Sequence, residues 1–261
     1  MGDLQRYGEW ALVTGASAGI GVAFARRLAA DGVNVALVAR RVDRLEQLAA
    51  ELGRRGVATR VVPEDLERDG AVARIEQRVA DLPIGILVNN AGFSMVGRFE
   101  RVPRDKILGM IRVNCLAVAE LTHAFLPAMK ARRRGAIVIV SSIAGYTPIG
   151  YAATYAATKA FDLMLAEGLW VENRGSGVDV LALSPGPVET EFQAVAGEAS
   201  HPGATPESVV DVAFAALGKK PSVIAGAYNK ARVWGTRLAP RAQVARIAMS
   251  VMRGFVPEAL R

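Results

Sequence analysis

A phenol and an ammonium stand four residues apart in Tyr155-Ala156-Ala157-Thr158-Lys159. On a helix that spacing puts both on one face. A free tyrosine has a pKa of about 10 and is a poor acid–base group at neutral pH. A nearby ammonium favours the phenolate and lowers that value, so the pair is a candidate proton donor and acceptor. Many helices carry the same two residues as surface decoration, but here other polar groups accompany them. Ser141-Ser142 follows a strand-like run, and Ser142 lies thirteen residues before Tyr155. Asn89-Asn90-Ala91-Gly92 and Ser184-Pro185-Gly186-Pro187-Val188-Glu189-Thr190 follow two other such runs, while Asn114 lies within a long helical pattern. In open parallel sheets, ligands bind at the carboxyl ends of the strands, where all these segments except Asn114 fall.

A second constellation suits a phosphate-bearing ligand. Thr14-Gly15-Ala16-Ser17-Ala18-Gly19-Ile20-Gly21 joins the first strand-like run to the first helical one. Glycines at 15, 19 and 21 let the backbone turn tightly and approach a pyrophosphate at the helix N-terminus. The spacing is G-x-x-x-G-x-G, not the general G-x-G-x-x-G. A ribose 2′-hydroxyl is usually held by an acid about 20 residues beyond such a loop. Here the second strand ends Val38-Ala39-Arg40-Arg41, without an acid. Two guanidiniums suit a 2′-phosphate through charge-assisted forked hydrogen bonds, so NADP(H) is expected ahead of NAD(H). The plainer reading is that Arg40 and Arg41 begin a solvated helix beside Asp43 and Glu46.

The elements that must position these groups alternate along the chain. Strand patterns are read at 10–14, 33–39, 59–62, 86–88, 136–140, 178–183 and 222–225. Helical patterns are read at 20–30, 45–52, 71–79, 105–130 (bent or ended near Pro127), 154–174 and 208–217. Strand runs of β-branched and leucine residues without polar alternation imply a parallel sheet covered on both faces. No repeat, low-complexity tract or linker is visible. One doubly wound domain over 1–228, of the α/β class, with a basic and helical extension over 229–261, is the economical organisation.

Composition narrows the field. The chain has 261 residues, 51% hydrophobic and 22% charged, enough for a sizeable core. A single cysteine, Cys115, excludes an internal disulfide and a Cys-based zinc cluster. His123 and His201 lie far apart, and no metal site is expected. No apolar run approaches the ~18 residues of a membrane span, and the N-terminus has no signal-peptide pattern. A cytoplasmic protein is expected, with no nucleic-acid partner. The net charge of +7 is concentrated at the end: seven basic residues and Glu258 give +6 over 229–261.

Together these motifs, in this order, resemble the short-chain dehydrogenase/reductase family in its short single-domain branch, over roughly residues 8–226. The resemblance implies a Rossmann-type sheet of about seven strands in the order 3-2-1-4-5-6-7. It implies that Gly15, Ser17, Gly19, Ile20 and Gly21 form the dinucleotide loop. Arg40 matches the position selecting the 2′-phosphate, with Arg41 beside it, and Asp65 matches the acid that contacts adenine. Asn90, Ala91 and Gly92 match the turn lining the cofactor, and Pro185, Gly186, Val188 and Thr190 the segment around the nicotinamide amide. Asn114, Ser142, Tyr155 and Lys159 match the catalytic tetrad. Lys159 would also hold the nicotinamide ribose, and Asn114 would position a water linking Lys159 to solvent. Ala18 departs from NADP-specific relatives that carry Arg or Lys there. That leaves the 2′-phosphate to Ser17, Arg40 and Arg41.

The expected reaction is NADP(H)-dependent interconversion of a ketone and a secondary alcohol, with Tyr155 as general acid/base. Segments 93–95, 143–151 and 192–203 would shape an apolar substrate pocket, the last as a mobile lid. A hydrophobic ketone of 3-oxoacyl, steroid or aryl type suits that lining better than a sugar. The alternatives are a non-catalytic NADP-sensing regulator on the same fold and a sugar-nucleotide epimerase or dehydratase. The first is disfavoured by the intact tetrad, the second by chain length. Tyr151 is read as a pocket wall, Cys115 as a small buried residue, and Arg132–Arg134 as a solvated turn. A homodimer or homotetramer through helices 105–130 and 154–174 is expected. The tail has four readings: a helix packed on the protein or oligomer, a cover over the substrate opening, a site for an acidic carrier, or a peripheral contact with an anionic membrane.

Overall fold

The computed structural model describes residues 4–197 and 202–261. Seven parallel strands form one sheet in the order β3-β2-β1-β4-β5-β6-β7. They are β1 Trp10–Thr14, β2 Asn34–Ala39, β3 Thr59–Pro63, β4 Ile84–Asn89, β5 Gly135–Val140, β6 Val178–Ser184 and β7 Ser222–Ile224. The helices are α1 Gly19–Ala30, α2 Val42–Gly53, α3 Ala71–Arg78, α4 Arg104–Ile111, α5 Ala117–Ala131, α6 Ala153–Glu172, α7 Phe192–Ala196, α8 Pro206–Ala216, α9 Ala227–Gly235 and α10 Arg241–Arg253.

Because successive strand residues point to opposite faces, each strand feeds two cores. Ala11, Val13, Val35, Leu37, Ile86 and Val88 pack with Phe24 and Leu28 of α1, Leu45 and Leu52 of α2, and Val209 and Ala213 of α8. Leu12, Ala36, Val38, Leu87, Ile137 and Ile139 pack with Ile75 of α3, Leu121 of α5, and Leu163 and Ala166 of α6. Both faces are covered by apolar side chains, which explains the absence of polar alternation in the strands. β1 pairs with both β2 and β4, so the chain reverses its direction of travel there and opens a crevice at the strand ends.

The 105–130 pattern forms helix, but not uniform helix. α4 passes through a π-helical turn, Arg112–Leu116, into α5, and Pro127 sits inside α5 without ending it. The run 104–131 is long and apolar enough by length and composition to cross a membrane, although charged residues interrupt it. Val118, Leu121 and Met129 on its inner side belong to the core under the sheet. The arginine turn after α5 is not simply solvated. Arg132 Nη2 donates to Ile84 O at 2.7 Å, and Arg134 donates to the carbonyls of Gln5 and Arg6. The guanidiniums supply N–H donors to backbone carbonyls at the start of β4 and in the segment before β1.

The tail folds back on the protein. Val256 is buried with Val96 and Tyr151, and Met252 and Leu260 pack against them. Arg98 N donates to Leu260 O at 2.8 Å, and Arg101 Nη1 to Ala259 O at 3.2 Å. The proposed lid, 192–203, is described only in part, since 198–201, with His201, lie outside the described residues.

Candidate active site

The glycine loop is shaped for a ligand that approaches backbone. Gly15 has φ +67°, a conformation that favours glycine. A Cβ at Gly21 would overlap the Gly15 carbonyl oxygen. Ala18, the N-cap of α1, offers no side-chain cap. No N-cap side chain therefore competes for the first-turn N–H groups, and a helix N-terminus of this kind can receive a pyrophosphate. The residues present thus fit a dinucleotide. Ile20 packs against the core behind the loop.

Thr14, which the sequence reading passed over, organises the facing turn. Its Oγ1 accepts from Asn90 N at 3.0 Å and Ala91 N at 2.9 Å, and Asn90 Nδ2 donates to Thr14 O at 2.8 Å. A Cβ added at Gly92 would lie 3.1 Å from Asn114 Oδ1 and 3.6 Å from Lys159 Nζ. Gly92, Asn114 and Lys159 therefore share one small space.

Each tetrad residue is held by a distinct local device. Asn114 is fully buried in the π turn, a helix irregularity often found at functional sites. Its Nδ2 donates to Phe93 O (3.0 Å) and Thr158 Oγ1 (3.1 Å), and its Oδ1 accepts from Phe93 N (3.1 Å). Ser142 N-caps a short 3-10 turn, its Oγ accepting from Ala144 N at 3.1 Å. That bond uses an acceptor lone pair and leaves the O–H to donate. Ser141 Oγ donates to Lys159 O at 2.7 Å, tying the end of β5 to α6. The Tyr155 ring lies 5.7 Å, centroid to centroid, from that of Phe192.

Lys159 is buried, and its Nζ donates to Val140 O at 2.7 Å and Asp162 Oδ2 at 2.8 Å. Burial opposes its charge, but Asp162, with a contribution from Tyr155, holds the ammonium above its ordinary pKa. Burial pushes the Asp162 carboxyl up against the pull of Lys159, and its Oδ1 has no hydrogen-bond partner. Asp162 was not singled out in sequence, although its i+3 spacing from Lys159 was a usable signal. Cys115 is half-buried, its thiol pushed up to about 11 by burial.

The two arginines separate. Arg41 donates from Nε and Nη2 to Ser17 Oγ (3.2 and 3.1 Å), joining the end of β2 to the glycine loop. Arg40 faces solvent and reaches Glu67 Oε1 at 3.4 Å. Glu191 bridges Arg41 and Arg44 at 2.8 and 2.6 Å, and their guanidiniums hold its carboxyl below the usual range. Asp65 Oδ1 accepts from Glu67 N at 3.1 Å within the turn after β3. On the other side, Pro185 O accepts from Ile143 N at 2.9 Å, Gly186 lies against Asn229, Val188 bridges to Ala204, and Thr190 lies over Gly19.

A cleft of about 190 Å³, reaching Thr154 at the start of α6, has Met95, Val102, Met110, Tyr151 and Met249 on its walls together with Arg98 and Glu100. Tyr151 has φ +65°, a strained value for a bulky residue, and stands in the wall as expected. His123 is exposed on α5. Among the described residues, no three His, Cys, Asp or Glu side chains cluster as metal ligands.

Residues 9–200 match the short chain dehydrogenase family. A 7β-hydroxysteroid dehydrogenase of Clostridium sardiniense is 35% identical over 88% of this chain and 90% of its own. A structure solved in a study of 7β-hydroxysteroid dehydrogenase stereoselectivity superposes with a TM-score of 0.89 at 33% identity, covering 95% of this chain and 99% of that one. A short-chain dehydrogenase from Sphingobium yanoikuyae, in complex with NADPH, superposes with a TM-score of 0.78 at 35% identity, covering 88% of this chain and 93% of that one. With the seven-stranded sheet and the loop geometry, these similarities establish that the chain belongs to the short-chain dehydrogenase/reductase family and is an oxidoreductase acting on CH–OH donors.

Proposed function

We propose that the protein reduces a bulky hydrophobic ketone to a secondary alcohol with NADPH, or runs the reverse reaction. The observation that carries this reading is that Asn114 and Lys159 meet at Gly92, in the turn tied to the glycine loop through Asn90 and Thr14, on elements that also carry Tyr155 and are tied to the Ser141–Ser142 turn. Gly15, Ser17, Gly19, Ile20 and Gly21 would hold the pyrophosphate end, Arg40 and Arg41 the 2′-phosphate, and Asp65 the adenine. Asn90 to Gly92, Lys159, Pro185, Gly186, Val188 and Thr190 would hold the nicotinamide ribose and amide. When bound, the cofactor supplies the hydride for the carbonyl carbon.

The chain's own residues handle the oxygen. Tyr155 donates its phenolic proton as negative charge develops there. Ser142 donates a hydrogen bond to the same oxygen, using the O–H that its N-cap bond leaves available. Lys159 has three N–H donors, two of them spent on Val140 O and Asp162. The third is available for the ribose, and its positive charge favours the Tyr155 phenolate in the reverse direction. Asn114, locked to Phe93 and Thr158, holds the π turn that backs Lys159.

The hydroxysteroid dehydrogenase relatives support a large, flat ketone of steroid type, with 3-oxoacyl thioesters and aryl ketones as rivals. Leu108, Ile111 and Leu116 on one helix run and Phe161, Met164 and Val171 on α6 are exposed, which supports a homo-oligomer through these faces. The test is NADPH absorbance with a panel of steroid ketones, 3-oxoacyl thioesters and aryl ketones, alongside cofactor titration. NADPH should bind at least ~10-fold tighter than NADH, since one charge-assisted contact is worth about 1.5–3 kcal/mol. Turnover of none of the three ketone classes, or equal dissociation constants, overturns the reading.

A further inference from the structure

The end of β2 presents a cluster of cations toward the glycine loop, and one carboxylate already occupies it. Arg41 reaches Ser17 Oγ with two N–H groups and Glu191 Oε2 with a third at 2.8 Å. Arg44, one turn into α2, reaches Glu191 Oε1 at 2.6 Å. Glu191 directly follows Thr190, whose methyl lies 2.6 Å from where a Cβ on Gly19 would be. The carboxylate therefore crosses the loop from the β6 side and ends on the same guanidinium that Ser17 orients. Nothing in the reaction chemistry requires an acid there, and a carboxylate is the shape and charge mimic of a phosphate edge for a forked guanidinium.

We infer that Glu191 is a specificity-determining residue that competes with the cofactor's 2′-phosphate for Arg41, and so lowers the protein's preference for phosphorylated over unphosphorylated dinucleotide. The inference rests on the NADP(H) reading above and refines it. A dianionic 2′-phosphate entering beside Ser17 must displace Glu191 from Arg41 or lie next to a like charge. A cofactor with a free 2′-hydroxyl meets no such competitor, so only the phosphorylated ligand feels the change. Arg44 keeps Glu191 near the cluster after displacement, which makes the competition intramolecular and independent of concentration.

The test is calorimetric titration of the full-length protein with two fragments, 2′,5′-ADP and ADP, comparing wild type with Glu191→Gln. The amide preserves shape and removes the charge. Expected is a roughly 5-fold tighter binding of 2′,5′-ADP with ADP changed less than 2-fold, a modest effect in keeping with an exposed, solvent-screened charge contact. In an Arg41→Met background the same substitution should move 2′,5′-ADP less than 2-fold. Unchanged or weaker 2′,5′-ADP binding in Glu191→Gln, an equal gain for ADP, or a full gain that persists without Arg41 each overturns the inference. The NADP(H) reading is judged separately, by the wild-type ratio of NADPH to NADH dissociation constants. Its failure would leave the fragment comparison just as decisive for Glu191.

Discussion

Removal of the Asp162 carboxylate isolates the energetics of the buried lysine. Asp162 and Lys159 are 0% and 5% exposed and meet at 2.8 Å. In Asp162→Ala the Lys159 ammonium keeps Val140 O but loses its counter-charge. Breaking a buried pair from one side costs about 3–5 kcal/mol, because the remaining charge stays desolvated. In a chain of this size each kcal/mol moves Tm by about 2–4 °C, so a fall of roughly 6–20 °C is expected. The pH dependence has a definite sign. In the wild type the folded Lys159 pKa lies above its unfolded value of about 10.4, so the lysine's contribution is complete below that pH and is lost as pH rises through the folded value. In the variant, burial without a carboxylate lowers the folded value, so the protein regains stability as Lys159 deprotonates. The gap between the two should be widest near pH 7 and narrow as pH rises toward 10. Urea and thermal melts of the cofactor-free protein at pH 7, 9 and 10 measure it. The double variant Lys159→Met/Asp162→Leu, which removes both charges, should recover most of the loss. A loss under about 1 kcal/mol, a gap constant with pH, or a double variant as unstable as the single one refutes the reasoning.

Tyr155→Phe should bind NADPH nearly as wild type but turn over roughly 10²–10⁴-fold more slowly, as measured by single-turnover absorbance on a verified ketone. Phe161→Glu combined with Met164→Glu, on the exposed face of α6, should lower the mass seen by light scattering at micromolar concentration from an oligomer to a monomer. A wild-type monomer would refute the proposed interface. Truncation after Ala227 removes the buried Val233, Val244 and Val256. Each such side chain contributes about 1.5–3 kcal/mol, so Tm should fall by roughly 10 °C or more, while the full-length protein stays in the supernatant with anionic vesicles at low salt. Salt-sensitive co-sedimentation of the intact chain would instead favour a membrane-facing tail.

Local order was legible in the residues themselves. Strand runs, helical spacing and the glycine loop depend on neighbours a few positions apart. The sheet order was expected from a family resemblance and emerged as such. The Tyr155–Lys159 spacing put both groups on one helical face before any packing was known. Only the tertiary structure decided what those groups touch. Asn114 is bonded to Thr158 across 44 positions, and Glu191 meets Arg41 across 150. Such pairings depend on how crossovers bring elements together, which no periodicity records. The arginines of the 132–134 turn looked solvated because charge usually is, yet all three donate to backbone carbonyls of distant segments. The basic tail has the same amphipathic pattern whether its apolar side faces lipid or protein. In the structure Val256 is buried with Val96 and Tyr151, while Trp234, Leu238, Ile247 and Val251 stay exposed, a division of the apolar side that the pattern alone does not contain. The sequence by itself determined the elements, the loop and the reactive pair, because those are short-range properties of the chain. The partners of Lys159, the occupant of the Arg41 site and the course of the tail belong to long-range packing.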